Sequence, residues 1–332
     1  MTNNLISLGD KIYLAGHTGM VGQAIKKNLL LKGYGQKING GELLLKTRTE
    51  LNLLDINSVK KFFIKNKPNI VIIAAAKVGG IVSNETYPYE FISQNLKIQQ
   101  NLIESSYENK VKRLLFLGSS CIYPKFASQP IKEEELMKKE LERTNEFYAI
   151  AKICGIKLCE SLRKQYNFDA ISLMPTNIYG PGDNYHPENS HVFASLIRKF
   201  IIAKKYGHSY VNCWGDGSPY REFLHSDDLG KACVFALESW DPSSKNAPKD
   251  ENGESLNFLN IGTGLDISIK ELAILIAKEL SYEGLIKWDK SKPNGTPRKL
   301  LDISKIKSLG WRPRISLMEG IKKTIKEVYD NF

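Results

Sequence analysis

The stretch Lys11-Ile12-Tyr13-Leu14-Ala15-Gly16-His17-Thr18-Gly19-Met20-Val21-Gly22 decides how this chain is read. Five residues of strand type run into a G-x-x-G-x-x-G loop, and Gln23-Ala24-Ile25-Lys26-Lys27-Asn28-Leu29 then opens a helical pattern. Glycines in that setting permit a tight turn and let backbone approach a pyrophosphate closely. The helix start adds free N–H groups and a favourable dipole. Gly16, Thr18, Gly19, Met20, Val21 and Gly22 are therefore candidate dinucleotide contacts.

Further along, short apolar runs alternate with amphipathic patterns. Glu42–Lys46, Ile70–Ala74, Arg113–Leu117 and Ala170–Met174 read as strands, and helical patterns begin near Gly22, Asn57, Tyr89 and Tyr148. That order predicts parallel βαβ units in a doubly wound α/β sheet, with the ligand crevice at the carboxyl ends of the strands. After Tyr179-Gly180-Pro181-Gly182-Asp183-Asn184 the pattern becomes irregular, and the helical segments Ile269–Leu280 and Met318–Val328 stand between loops rich in glycine and proline. We expect residues 1–180 to form a dinucleotide-binding Rossmann domain, with returns to the sheet near 211–235 and 256–262. Residues 181–332 should form mainly a smaller C-terminal substrate-binding lobe, and the polar stretch 241–255 a surface loop.

The chain has 332 residues, 42% hydrophobic and 25% charged, and no apolar run nears the ~20 residues of a membrane helix. Its net charge of +11 is dispersed over many apparent helix faces, which argues against nucleic acid as a partner and leaves anionic small molecules. Met1-Thr2-Asn3-Asn4-Leu5 has no basic stretch followed by an apolar region, which predicts a cytoplasmic protein without a secretory signal. The five cysteines lack C-x-x-C spacing, as expected of reduced thiols and no structural metal.

The second strand runs Leu44-Leu45-Lys46-Thr47-Arg48, where folds that prefer NAD commonly place Asp or Glu. Arg48 there suits a 2′-phosphate, and the plainer alternative is one more exposed arginine. Asp55 either accepts from the adenine amino group or caps the next helix. Tyr148 and Lys152 lie one helical turn apart on one face. Phenols titrate near ~10, and an adjacent ammonium is expected to bring that value down. Ser119, in Gly118-Ser119-Ser120-Cys121 at a strand end, can hydrogen-bond the carbonyl that the tyrosine protonates.

Glycine loop, Ser119, Tyr148 and Lys152 together resemble an extended short-chain dehydrogenase/reductase, and more specifically the GDP-L-fucose synthases. The resemblance is carried by Ala74-Ala75-Ala76-Lys77-Val78-Gly79-Gly80-Ile81, Gly118-Ser119-Ser120-Cys121-Ile122-Tyr123-Pro124, Met174-Pro175-Thr176-Asn177, Asn189-Ser190-His191 and Arg221-Glu222-Phe223-Leu224-His225. It implies NADP(H) as cofactor, a GDP-sugar as substrate, and 3,5-epimerisation followed by reduction at C4; a related substrate such as a GDP-heptose is the alternative. It implies that Tyr148 protonates the C4 oxygen, Lys152 tunes it, Ser119 steadies the carbonyl, and Cys121 and His191 move protons at C3 and C5. Unperturbed thiol and imidazole values of ~8.5 and ~6.5 bracket neutrality and suit that work. Ala75, Lys152, Pro175, Asn177 and His191 would border the cofactor, and Asn177, Lys199, Trp214, Arg221 and Lys299 the substrate. For Trp214, core packing is the rival role. Two departures stand out: Thr18 and Lys199 occupy positions where arginine is common in relatives. The family's dimer helices correspond to Tyr89–Tyr107 and Phe147–Leu162, which implies a homodimer.

Overall fold

A computed structural model describes residues 4–187, 189–292 and 294–332. Residues 1–3 of the leader reading lie outside the described residues. In chain order the first half forms β1 (Lys11–Ala15), α1 (Met20–Leu31), β2 (Glu42–Leu44), α2 (Ile56–Asn66), β3 (Ile70–Ile73), α3 (Ile81–Thr86), α4 (Pro88–Glu108), β4 (Arg113–Leu117), α5 (Glu146–Tyr166) and β5 (Ala170–Pro175). There follow β6 (Asn177–Tyr179), α6 (Val192–Lys205), β7 (Tyr210–Trp214), β8 (Tyr220–His225), α7 (Ser226–Ser239), β9 (Phe258–Ile261) and β10 (Asp266–Ser268). The chain ends with α8 (Ile269–Glu279), β11 (Leu285–Asp289), β12 (Arg298–Lys299), α9 (Ser304–Ser308) and α10 (Leu317–Val328).

Six strands make one parallel sheet in the order β2-β1-β3-β4-β5-β9. The chain moves from β1 out to β2 and returns to β3 on the other side of β1. That reversal opens a crevice at the carboxyl ends of β1 and β3. Every residue of β3 and β4 is buried, as it must be when helices cover both faces. α4 packs along α5 and α2, and α1 along α7. Helices α1 and α7 nearly touch at Gly230, where a Cβ would lie 2.6 Å from the Ala24 carbonyl oxygen. A second apolar cluster, including Phe193, Ile197, Phe200, Leu272, Ile276 and Ile321, joins α6, α8 and α10 into the smaller lobe.

The expected strand 42–46 stops at Leu44. Glu50 turns the chain by accepting from the Thr47 N–H and hydroxyl, each at 2.8 Å. The return to the sheet near 256–262 is made by β9, whereas the strands of 211–235 do not join it: β7 pairs with β11, and β8 with β6, β10 and β12. The side chains of β7 alternate exposed and buried, a pattern for a half-covered layer rather than for the doubly covered interior of a parallel sheet. From that region α7, together with Leu224 of β8, packs into the core of the large domain. Among the described residues, no helix is long and apolar enough to cross a membrane.

Candidate active site

The glycine loop leaves β1 at Gly16, whose φ of +87° favours glycine, and a Cβ there would stand 2.6 Å from the Ala75 nitrogen. At Gly22 a Cβ would lie 2.0 Å from the Gly16 carbonyl oxygen. Both positions need glycine for α1 to start so close to β1 and β3. Gly19 caps α1 without any side-chain bond, and the Gln23 side chain fixes the loop by donating to the Thr18 carbonyl at 2.8 Å. The first-turn N–H groups of Met20, Val21 and Gly22 therefore face the crevice, a cradle that fits a pyrophosphate. Arg48 is exposed on the turn that Glu50 closes, and it has no ion pair among the described residues. Asp55 caps α2, accepting from the Asn57 N–H at 3.0 Å and from the Ser58 hydroxyl. The capping role foreseen for it is thus the one the structure displays. Pro175 ends β5, and Asn177 begins β6 with its amide donating to the Glu222 carbonyl at 2.8 Å.

Across the crevice, α5 carries Tyr148 and Lys152, and Ser119 follows β4. The Lys152 ammonium, 3% exposed, donates to the Leu117 carbonyl at 2.7 Å and lies 4.8 Å from the centre of the Phe116 ring. Burial brings its pKa down to about 7. Tyr148 lies edge-on to Phe91 at 6.3 Å, and Lys152 Nζ is 5.8 Å from the centre of its ring. Burial pushes the phenol well above its ordinary value, helped by the neighbouring Cys121 and opposed by a hydrogen bond from Ser119. The expected lowering of Tyr148 by Lys152 is therefore not found. Lys152 is buried and Tyr148 half-buried, and the desolvation disfavours phenolate and ammonium alike, which leaves Tyr148 as a neutral proton donor.

Cys121 stands in the short turn capped by Ser119, whose hydroxyl accepts from the Cys121 N–H at 3.2 Å. Its sulfur accepts from Asn145 Nδ2 at 3.4 Å and from Lys299 Nζ at 3.8 Å. The register of β12 on β8 pairs Lys299 with Arg221, so two cations from distant parts of the sequence arrive side by side. Arg221 is held by the carbonyls of Tyr220 at 2.8 Å and Asn294 at 3.4 Å. Burial lowers its pKa to about 10, against the pull of Cys121 and Glu142.

His191 sits at the N-cap of α6, and the preceding Asn189 carbonyl accepts from the Gly80 N–H at 3.3 Å. A Cβ on Gly80 would be 2.7 Å from the Ser190 carbonyl oxygen, so this segment rests on the loop after β3. The imidazole is accessible to solvent, yet the surrounding wall lowers its pKa by desolvation. No hydrogen bond joins it to Cys121 among the described residues. Trp214 is 41% exposed, which excludes the core role, and Lys199 and Lys292 each stand 5.5 Å from its ring centre. Lys199 also donates to the Asn212 carbonyl at 2.8 Å, and burial lowers its pKa. Asn145, Lys292 and Asn294 are site residues that the sequence reading missed. Asn145 lies just before the helical pattern that carries Tyr148, and the other two belong to a loop with no motif of its own. An apolar groove of about 770 Å³ between Phe223, Leu265, Ile274 and Leu317 contains none of the residues assigned to catalysis or binding.

A glycine-cradled crevice at a sheet reversal, with a buried Lys152 beside Tyr148 and a serine at its rim, defines a dinucleotide-dependent short-chain dehydrogenase/reductase. Residues 12–249 match the NAD dependent epimerase/dehydratase family. The chain is 53% identical to GDP-L-fucose synthase 1 of Arabidopsis thaliana, with 95% of this chain and 91% of that protein covered. It is 49% identical to the GDP-L-fucose synthase of Escherichia coli (strain K12), over 97% of both chains. A GDP-6-OMe-4-keto-L-xylo-heptose reductase from C. jejuni superposes with a TM-score of 0.89 at 35% identity, covering 98% of this chain and 99% of that one. The chain belongs to the GDP-L-fucose synthases of the NAD dependent epimerase/dehydratase family.

Proposed function

We propose that this enzyme converts GDP-4-keto-6-deoxy-D-mannose to GDP-L-fucose by epimerisation at C3 and C5 followed by reduction of the C4 ketone. The observation that carries the reading is Cys121, its sulfur bracketed by Asn145 and Lys299 beside the Ser119–Tyr148 pair. A C4 ketone acidifies both neighbouring carbons, and inversion needs one group to remove a proton and another to return one from the opposite face. Cys121 and His191 take those two roles. Ser119 holds the C4 oxygen, and Tyr148, kept neutral by burial, donates its proton there. Lys152 binds Leu117 and anchors the floor of the pocket.

Bound NADPH supplies the hydride for C4. Its pyrophosphate would lie on Gly16, Thr18, Gly19, Met20, Val21 and Gly22, its 2′-phosphate on Arg48, and Ala75, Pro175 and Asn177 would line its walls. Arg221 and Lys299 face the GDP diphosphate, and Trp214 between its two lysines offers a surface on which the base stacks. Lys199 gives a point charge in place of a bidentate fork. Residues 1–180 would carry the cofactor and 181–332 most of the substrate. A cytoplasmic homodimer completes the reading: Tyr89 at 72% and Phe147 at 43% exposure lie on α4 and α5, the helices offered to a second copy.

The second reading, a GDP-heptose reductase, draws on the 35% identity to the C. jejuni enzyme, but the fucose synthases share about half their residues with this chain. Purified enzyme given GDP-4-keto-6-deoxymannose and NADPH should yield GDP-L-fucose by NMR. Turnover of a GDP-4-keto-heptose alone would favour the second reading.

A further inference from the structure

We infer that Asn145 holds Cys121 and one hydroxyl of the sugar in a single grip, and so sets the face on which the thiol works. The inference rests on the role of Cys121 as a proton carrier. Asn145 is the N-cap of α5, three residues before Tyr148, yet its side chain caps nothing. Asparagine at that position ordinarily accepts from an N–H of the first turn. Here Nδ2 is turned to the Cys121 sulfur at 3.4 Å, while Oδ1 is buried with no partner among the described residues. A buried carbonyl oxygen without a donor is costly, and giving up the cap adds to that cost. Both are accounted for when a ligand displaces what covers the oxygen and brings the missing donor.

The chemistry of that donor follows from the acceptor. Oδ1 needs an O–H or N–H, which the C4 ketone lacks and a sugar hydroxyl provides. The hydroxyl lies on, or next to, the carbon that Cys121 deprotonates, because one amide reaches both. In that step the sulfur takes the carbon-bound proton and forms S–H. The C–H pair becomes the enolate double bond, and the carbonyl pair moves onto the C4 oxygen beside Ser119 and Tyr148. Asn145 at 3.4 Å and Lys299 at 3.8 Å both donate to the sulfur that begins it. Turned end for end, the same amide would accept the S–H through Oδ1 and offer Nδ2 to the hydroxyl oxygen, so the grip persists in both states of the thiol.

The test uses the full-length enzyme carrying Asn145→Asp, with Asn145→Ser as a second variant should the first fold poorly. Proton exchange at C3 and C5 of GDP-4-keto-6-deoxymannose is followed by NMR in deuterated water, and Cys121 alkylation by iodoacetamide is measured in a Cys154→Ser background. We expect exchange and alkylation each to fall about tenfold or more, with the KM for NADPH within about twofold of wild type. A merely structural role would not slow alkylation in a protein that binds NADPH normally. Wild-type exchange in both Asn145 variants, with exchange lost in Cys121→Ser, would overturn the role of Asn145. Exchange retained in Cys121→Ser would instead overturn the assignment of the thiol on which the inference rests.

Discussion

Replacing Lys152 by methionine should abolish reduction and, near neutrality, make the protein more stable. Burial moves the lysine from 10.5 to about 7, and each unit corresponds to about 1.4 kcal/mol. Below pH 7 both folded and unfolded chains carry the charge, so its desolvation costs the fold about 4–5 kcal/mol. Between pH 7 and 10.5 the unfolded chain binds the proton that the folded chain lacks, so wild-type stability rises with pH. Methionine removes this dependence but deprives the Leu117 carbonyl of its 2.7 Å donor. That loss is worth about 1–3 kcal/mol. The variant should therefore exceed wild type by about 2 kcal/mol at pH 6.5 and fall below it by a similar amount near pH 10. Urea unfolding of both proteins without cofactor, from pH 6 to 10, measures the difference directly. A difference that stays constant over that range would refute the buried, low-pKa lysine and the reasoning built on it.

Three further outcomes follow from the geometry. Arg48→Ala should raise the KM for NADPH about tenfold or more and leave that for NADH nearly unchanged, since only the 2′-phosphate meets the guanidinium; equal losses would remove Arg48 as selector. Trp214→Ala should raise the KM for the GDP-sugar and spare that for NADPH in steady-state kinetics, because the ring is exposed beside Lys199 and Lys292 rather than packed in a core. Light scattering should give twice the 37.5 kDa chain mass at micromolar concentration, and Tyr89→Glu should shift the particle toward monomer.

The large domain was legible because its signals are local. A strand, a glycine loop and a helix start stand next to one another in sequence, and strands buried on both faces read as continuous apolar runs. Arg221 and Lys299 were each readable, but their pairing was not, because it arises from the register of β12 on β8. The expected return to the sheet near 211–235 fails at β7, because Tyr210-Val211-Asn212-Cys213-Trp214 alternates exposed and buried as a half-covered layer does. That alternation, which the apolar Cys213-Trp214 pair hides in the sequence, is what turns Trp214 outward. The electrostatics of Tyr148 and Lys152 could not be read from their spacing, since depth of burial, not the distance between them, fixes both. Asn145 was hidden for a similar reason: its sequence position suggests a cap, and only the fold turns its amide to the thiol.

The central claim is that one cleft runs two separable reactions, enolisation by Cys121 with His191 and carbonyl protonation by Tyr148. Its most direct test compares Tyr148→Phe and Cys121→Ser, each given GDP-4-keto-6-deoxymannose and NADPH in deuterated water. Tyr148→Phe should scarcely oxidise NADPH yet incorporate deuterium at C3 and C5. Cys121→Ser should lose the exchange, and any slow reduction should yield an un-epimerised 6-deoxy sugar. Wild-type exchange and GDP-L-fucose formation by Cys121→Ser would contradict the account and leave a plain keto-sugar reductase.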